Sequence, residues 1–295
     1  MAILTAFAFL GGGIVIAGFA LFGGSSSSSS QLISSAQAEV KASPKSVQAW
    51  DDLATAYQAA SKVPEAIAAA KTAAKLDPGD QTSAFTLVTL YSGTGQTSDA
   101  LAVLKTYTGK NPTDPDGFLQ LGEIADEAGN ATLAYNSYEK YLKLAPPGAT
   151  ATAVRTHLPI LLRIRTAQAS TAAHPKDAAA WDALAGAYET EQNATGAITA
   201  GIQATTLAPT NAAYMNRLAT IYTDTSQASL ALALAQQFTK SNPKNAMGYY
   251  YLGTYAQASG QKTIARQAFT TYLKLAPNGP DSKSVKASLA KLGTG

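Results

Sequence analysis

The chain has 295 residues, with 22 Lys and Arg against 19 Asp and Glu, a net charge of +3, and 46% hydrophobic but only 14% charged residues. Such a balance carries no electrostatic footprint for nucleic acid, and so apolar a composition excludes a globally disordered chain. The absence of cysteine excludes disulfides, thiolate zinc sites and cysteine nucleophiles.

The first element, Ala2 to Phe22, is uncharged and almost wholly apolar. As a helix it would span roughly 32 Å, about the thickness of a bilayer's hydrocarbon core. A secretory signal would need a positive flank, yet the first lysine is Lys41. Residues 2–22 therefore read as a membrane anchor, a signal peptide, or a segment that packs among copies of the chain. Each reading points to an extracellular or cell-envelope protein. The apolar segment is taken as residues 1–24, and the serine run Ser25 to Ser30 as a flexible linker over 25–30.

Beyond the linker the chain repeats itself. Trp50, Leu53, Ala54, Tyr57, Ala66, Ala70, Ala73 and Pro78 follow W-x2-L-[G/A]-x2-Y and then A-x3-[A/F]-x2-A-x4-P. The pattern returns at Leu87, Tyr91, Ala100, Leu104, Tyr107 and Pro112, and again at Phe118, Leu121, Gly122, Ala134, Tyr138, Tyr141 and Pro146. After an interruption come Trp181, Leu184, Ala185, Tyr188, Ala197, Gly201, Ala204 and Pro209. Two further copies run through Leu218, Tyr222 and Pro243, and through Tyr249, Leu252, Gly253, Phe269, Tyr272 and Pro277. Six copies in register over most of residues 47–280 resemble the tetratricopeptide repeat, a helix–turn–helix unit. The resemblance implies an all-α, right-handed superhelical solenoid in which each unit buries its apolar face against its neighbours. Small residues let paired helices approach, and each closing proline stops the second helix.

A larger duplication contains the small one. The segment ending at Tyr57 matches that ending at Tyr188, and the offset of 131 residues, from Trp50 to Trp181, holds without a gap. This divides the chain into a first repeat block (31–146), a helical joint (147–177), a second block (178–280) and a C-terminal half joint (281–295). Pro159 either kinks the joint or starts its second helix. Residues 281–292 duplicate the first half of the joint, and 31–43 the second half. Leu32, Ile33, Val40, Val285, Leu289 and Leu292 leave apolar positions on these terminal helices. They are either end caps or a head-to-tail contact between molecules.

No catalytic, cofactor-binding or metal-ligating constellation is expected. His157 and His174 lie in the joint without a carboxylate cluster at ligand spacing. Ser92-Gly93-Thr94-Gly95 reads as an inter-helix turn, not a phosphate loop. In the family that the repeats resemble, first helices line a concave groove for extended peptides. Carried over by position, the groove candidates are Asp51, Phe85, Asp116, Glu123, Asp126, Asp182, Asn216 and Tyr250. The set lacks Lys and Arg, so basic or neutral segments suit it better than acidic tails. Asn130-Ala131-Thr132 and Asn193-Ala194-Thr195 match the N-glycosylation pattern on a hydroxyl-rich surface.

The expected function is a non-enzymatic protein–protein interaction scaffold. In one form it is a structural subunit whose partners are copies of itself, joined head-to-tail into an extracellular filament. In the other it is an adaptor, tethered to a membrane by residues 2–22, that holds a peptide or protein partner in its groove.

Overall fold

The computed structural model describes residues 29–293, so the apolar segment 1–24 and its proposed anchoring role lie outside the described residues. The described residues are helical throughout, without a strand, and no helix among them is long and apolar enough to cross a membrane. The chain divides into two units, residues 1–161 and 162–295.

In unit 1, α1 (Ser29–Ala42) is followed by three helix pairs: α2 (Val47–Ala59) with α3 (Val63–Leu76), α4 (Gln81–Gly93) with α5 (Thr97–Lys110), and α6 (Pro115–Glu127) with α7 (Ala131–Leu144). Next comes α8 (Ala149–Ala173), which carries Pro159 inside it. The proline therefore does not start a second helix; it leaves the Arg155 carbonyl without its usual helical donor. Unit 2 repeats the plan with α9 (Ala178–Thr190) and α10 (Ala194–Leu207), α11 (Ala212–Asp224) and α12 (Ala228–Ser241), α13 (Ala246–Ala258) and α14 (Lys262–Leu275), then α15 (Ser282–Leu292). The serine run is not linker to its end. Ser29 and Ser30 form the first turn of α1, and the Ser34 hydroxyl donates to the Ser30 carbonyl at 2.9 Å.

Every first helix is preceded by a proline, one variable residue and then Ser, Asp or Asn. Pro44-Lys45-Ser46, Pro78-Gly79-Asp80, Pro112-Thr113-Asp114, Pro175-Lys176-Asp177, Pro209-Thr210-Asn211 and Pro243-Lys244-Asn245 each end in an N-cap. The cap side chains accept backbone N–H groups that the first turn would otherwise leave unpaired. The duplication reaches individual hydrogen bonds. Trp50 Nε1 donates to the Pro44 carbonyl and Trp181 Nε1 to that of Pro175, both at 2.9 Å. Likewise Gln37 Nε2 donates to the Tyr57 hydroxyl and Gln168 Nε2 to that of Tyr188.

The turn inside each pair needs one residue in the left-handed region. Gly95, Gly129 and Gly260 fill it in three repeats, whereas Ser61, Gln192 and Ser226 hold it at φ of 56°, 61° and 62°. An L side chain pays roughly 1–2 kcal/mol there. Gln192→Gly is therefore expected to stabilise unit 2 by about 0.5–1 kcal/mol after the entropy of the unfolded glycine is subtracted. Urea denaturation reads the gain; an unchanged or lower midpoint would refute it.

Alanine makes the pairs tight. Ala54, Ala66, Ala70, Ala73 and Ala100 are fully buried in unit 1, as are Ala219, Ala231, Ala235 and Ala265 in unit 2. The terminal helices complete these cores. Ile33 is buried and Leu32 and Val40 pack on the unit 1 core; Val285 is fully buried and Leu289 and Leu292 pack on that of unit 2. Ile33 and Val285 are thus taken up by the core of their own unit, while Leu32, Val40, Leu289 and Leu292 stay partly exposed beside it.

Candidate functional site

Unit 1 sorts its groove candidates by depth. Asp51 does not line a groove: it is only 4% exposed, because its position on α2 faces the start of α4. There the Ser83 hydroxyl lies 2.7 Å from Asp51 Oδ2 and 2.9 Å from Asp80 Oδ1. Phe85 is half-buried, edge-on to Tyr107 with ring centroids 5.3 Å apart. Asp116 is exposed at the start of α6. Glu123 is half-buried, and burial, reinforced by the neighbouring Glu127 carboxylate, pushes its carboxyl up to about 7. Asp126 is not merely part of a solvated face. Its Oδ2 sits 2.7 Å from His157 Nε2, across 31 positions of sequence. Spacing along the chain does not reveal this carboxylate–imidazole pair, since it forms only when α8 packs beside α6.

Unit 2 contains a cavity of about 880 Å³ lined by the 162–170 stretch of α8, by α9 and by Arg217 of α11. Asp182 lines it. Arg217 Nε donates to Asp182 Oδ1 at 2.8 Å, and Nη1 donates to Glu189 Oε2 at 2.7 Å. The two carboxylates hold the guanidinium in one orientation and favour its charged form, although burial opposes it. Gly186 makes room, since a Cβ there would stand 3.0 Å from Arg217 Nη1. Arg163 donates to the Thr190 hydroxyl at 3.1 Å and also lines the cavity. Leu162, 41% exposed, adds an apolar wall beside the Thr166 and Ser170 hydroxyls. The sequence-based expectation of a groove without cations is thus corrected. Two arginines enter it, one from the joint helix and one from a position next to Asn216 that the groove register passes over.

Further along unit 2 the groove helices present tyrosine. The Tyr255 hydroxyl donates to Asn216 Oδ1 at 2.9 Å and lies 3.1 Å from the Thr220 hydroxyl, so Asn216 ties α11 to α13. Tyr250 stands between Tyr251 and Tyr272, with centroids 5.4 and 5.8 Å away. Burial pushes the Tyr250, Tyr251 and Tyr255 hydroxyls above the ordinary range, so this face stays neutral.

Residues 57–123 and 216–280 each match a tetratricopeptide repeat family model, one in each half of the duplication. The chain belongs to the tetratricopeptide repeat family. The sequence matches no curated protein. Among solved structures, a tetratricopeptide repeat protein from Parabacteroides merdae is 16% identical, covers 90% of this chain and 91% of its own, and has a TM-score of 0.42. The TPR2AB domain of yeast Sti1, solved as a pHSP90 complex, is 17% identical over 84% of this chain and 98% of its own, with a TM-score of 0.36. The TPR domain of P58(IPK) is 16% identical over 83% and 78%, with a TM-score of 0.38.

Within these tetratricopeptide repeats the two candidate glycosylation asparagines have a local task. Asn130 Oδ1 accepts the Leu133 N–H at 3.0 Å and Asn193 Oδ1 the Gly196 N–H at 2.9 Å, capping α7 and α10. His174 lies just after α8, outside the cavity lining.

Proposed function

We propose that the chain is a non-enzymatic scaffold that holds a peptide segment of a protein partner in the groove of unit 2. The observation that carries this reading is the cavity of about 880 Å³. Its volume falls within the roughly 300–1,000 Å³ usual for ligand pockets, and its wall combines an apolar side chain with a few oriented polar groups. Leu162 suits an apolar side chain of the segment, and the Thr and Ser hydroxyls suit its backbone amides and carbonyls. The arginine pair suits acceptor groups, while Asp182 and Glu189 keep the site from a net positive charge. Family membership supports a protein partner in general. Head-to-tail assembly into a filament is the second reading, and the partly exposed Leu32, Val40, Leu289 and Leu292 on the terminal helices would be its contact residues.

The test uses a displayed library of random peptides selected on the full chain. Selected peptides are expected to lose about tenfold or more in affinity for the Leu162→Asp/Arg163→Glu variant. Leu230→Ser, an exposed change on α12 away from the cavity, should leave binding unchanged. If no peptide is enriched, or if both variants bind equally well, the reading fails.

A further inference from the structure

The duplication supplies an internal control for one buried group. Asp51 and Asp182 occupy equivalent positions, yet Asp182 meets Arg217 whereas Asp51 meets Ser83, which is fully buried, and no cation. Asp51 Oδ1 is buried without any hydrogen-bond partner. Its other oxygen, Oδ2, shares the Ser83 hydroxyl with Asp80 Oδ1, at 2.7 and 2.9 Å. A serine hydroxyl has a single proton and so can donate to only one of two carboxylates. A proton on one of the carboxyl groups satisfies the second short contact.

Asp80 is the acceptor of the two. It caps α4, where Oδ1 accepts the Ser83 N–H at 2.8 Å and the helix N-terminus favours negative charge. The proton therefore belongs to Asp51. We propose that in mildly acidic surroundings folded unit 1 takes up a proton on Asp51, which as a neutral acid donates to Ser83, which in turn donates to Asp80, so that this core tightens there. The charged groups acting on Asp51 are Asp80, at the start of α4, and Asp52, on α2 itself; none acts from α1 or α3. Both are negative and oppose a second charge. Burial is the larger cause and raises the Asp51 carboxyl to about 6, against the smaller lowering by Ser83.

The direction follows from linkage. A carboxyl whose folded value lies above its unfolded value of 3.8 binds its proton more tightly when folded. The stabilisation is full below that unfolded value and is lost as pH rises through about 6. Between pH 8 and pH 5 the folding constant should rise about tenfold from this group alone. Glu123 acts in the same sense, so the comparison is made in a Glu123→Gln background.

The experiment follows the Asp51 side-chain carboxyl by carbon NMR in the full chain, beside urea unfolding at pH 5 and pH 8. A midpoint near 6 is expected in the parent. In Asp51→Asn the amide donates to Ser83 in place of the acid proton, so the tenfold pH effect should vanish. A midpoint below 5, or a pH effect equal in Asp51→Asn and its parent, overturns the proposal. If Asp51→Asn does not fold, the NMR midpoint of the parent decides alone.

Discussion

Gly122→Ala should destabilise unit 1 by about 3 kcal/mol, the upper end of the usual range for an overpacked core. On an open helix the same change would gain up to about 1 kcal/mol, so the sign is set by packing. A Cβ on Gly122 would stand 2.6 Å from both Cδ1 and Cε1 of the Tyr138 ring. Tyr138 is 3% exposed, so the ring has no solvent to move into. The glycine is what lets α6 and α7 pack with an aromatic ring against the backbone of the partner helix. Gly253 faces Phe269 in the same way in unit 2. Gly109, inside α5, is the control: a Cβ there meets nothing within 4 Å. Urea unfolding should therefore separate the two alanine variants in opposite directions. Equal effects would show that the ring contact does not govern this position. Tyr138→Leu in the Gly122→Ala chain should recover part of the loss, because the two positions are in direct contact.

These packing contacts explain how much of the fold is legible along the chain. Tyr138 follows Gly122 at a spacing that recurs between Phe269 and Gly253, so periodicity alone identifies paired helices and their facing residues. Closing prolines mark where second helices stop, and the 131-residue offset identifies the duplicated blocks. The site is less legible because it is made between repeats. Ser83 reaches Asp51 across 32 positions, Arg217 reaches Asp182 across 35, and His157 reaches Asp126 across 31. Spacings near one repeat length are shared by many residue pairs, most of which do not touch. A helical register places Asp51 on the inward side of α2 no more clearly than on its groove side; only the position of α4 decides it. Arg163 was hidden for another reason. It lies in the joint helix, outside the repeats whose first helices define the groove.

The largest single loss is expected at the C-terminal end of unit 2. Tyr272→Ala should destabilise that unit by about 3–5 kcal/mol, as for other large aromatic truncations in cores. Tyr272 is fully buried on α14, packed with Phe269, Val285 and Tyr250. Its hydroxyl accepts the Asp281 N–H at 3.1 Å, just before α15 begins. One side chain thus joins the last repeat to the helix that covers it. In a stack where each unit leans only on its neighbours, losing that joint should unfold the end before the rest. Hydrogen exchange should accordingly show protection falling first in α15, while α9 and α10 keep theirs. Tyr272→Phe separates the two contributions: the ring stays, the acceptor goes, and about 1 kcal/mol should be lost. A loss below about 1 kcal/mol in Tyr272→Ala would contradict the packing account. Unchanged protection of α15 would contradict its dependence on this side chain. If α15 frays alone, Val285, Leu289 and Leu292 become exposed together, leaving an apolar end on unit 2 that the intact cap keeps covered.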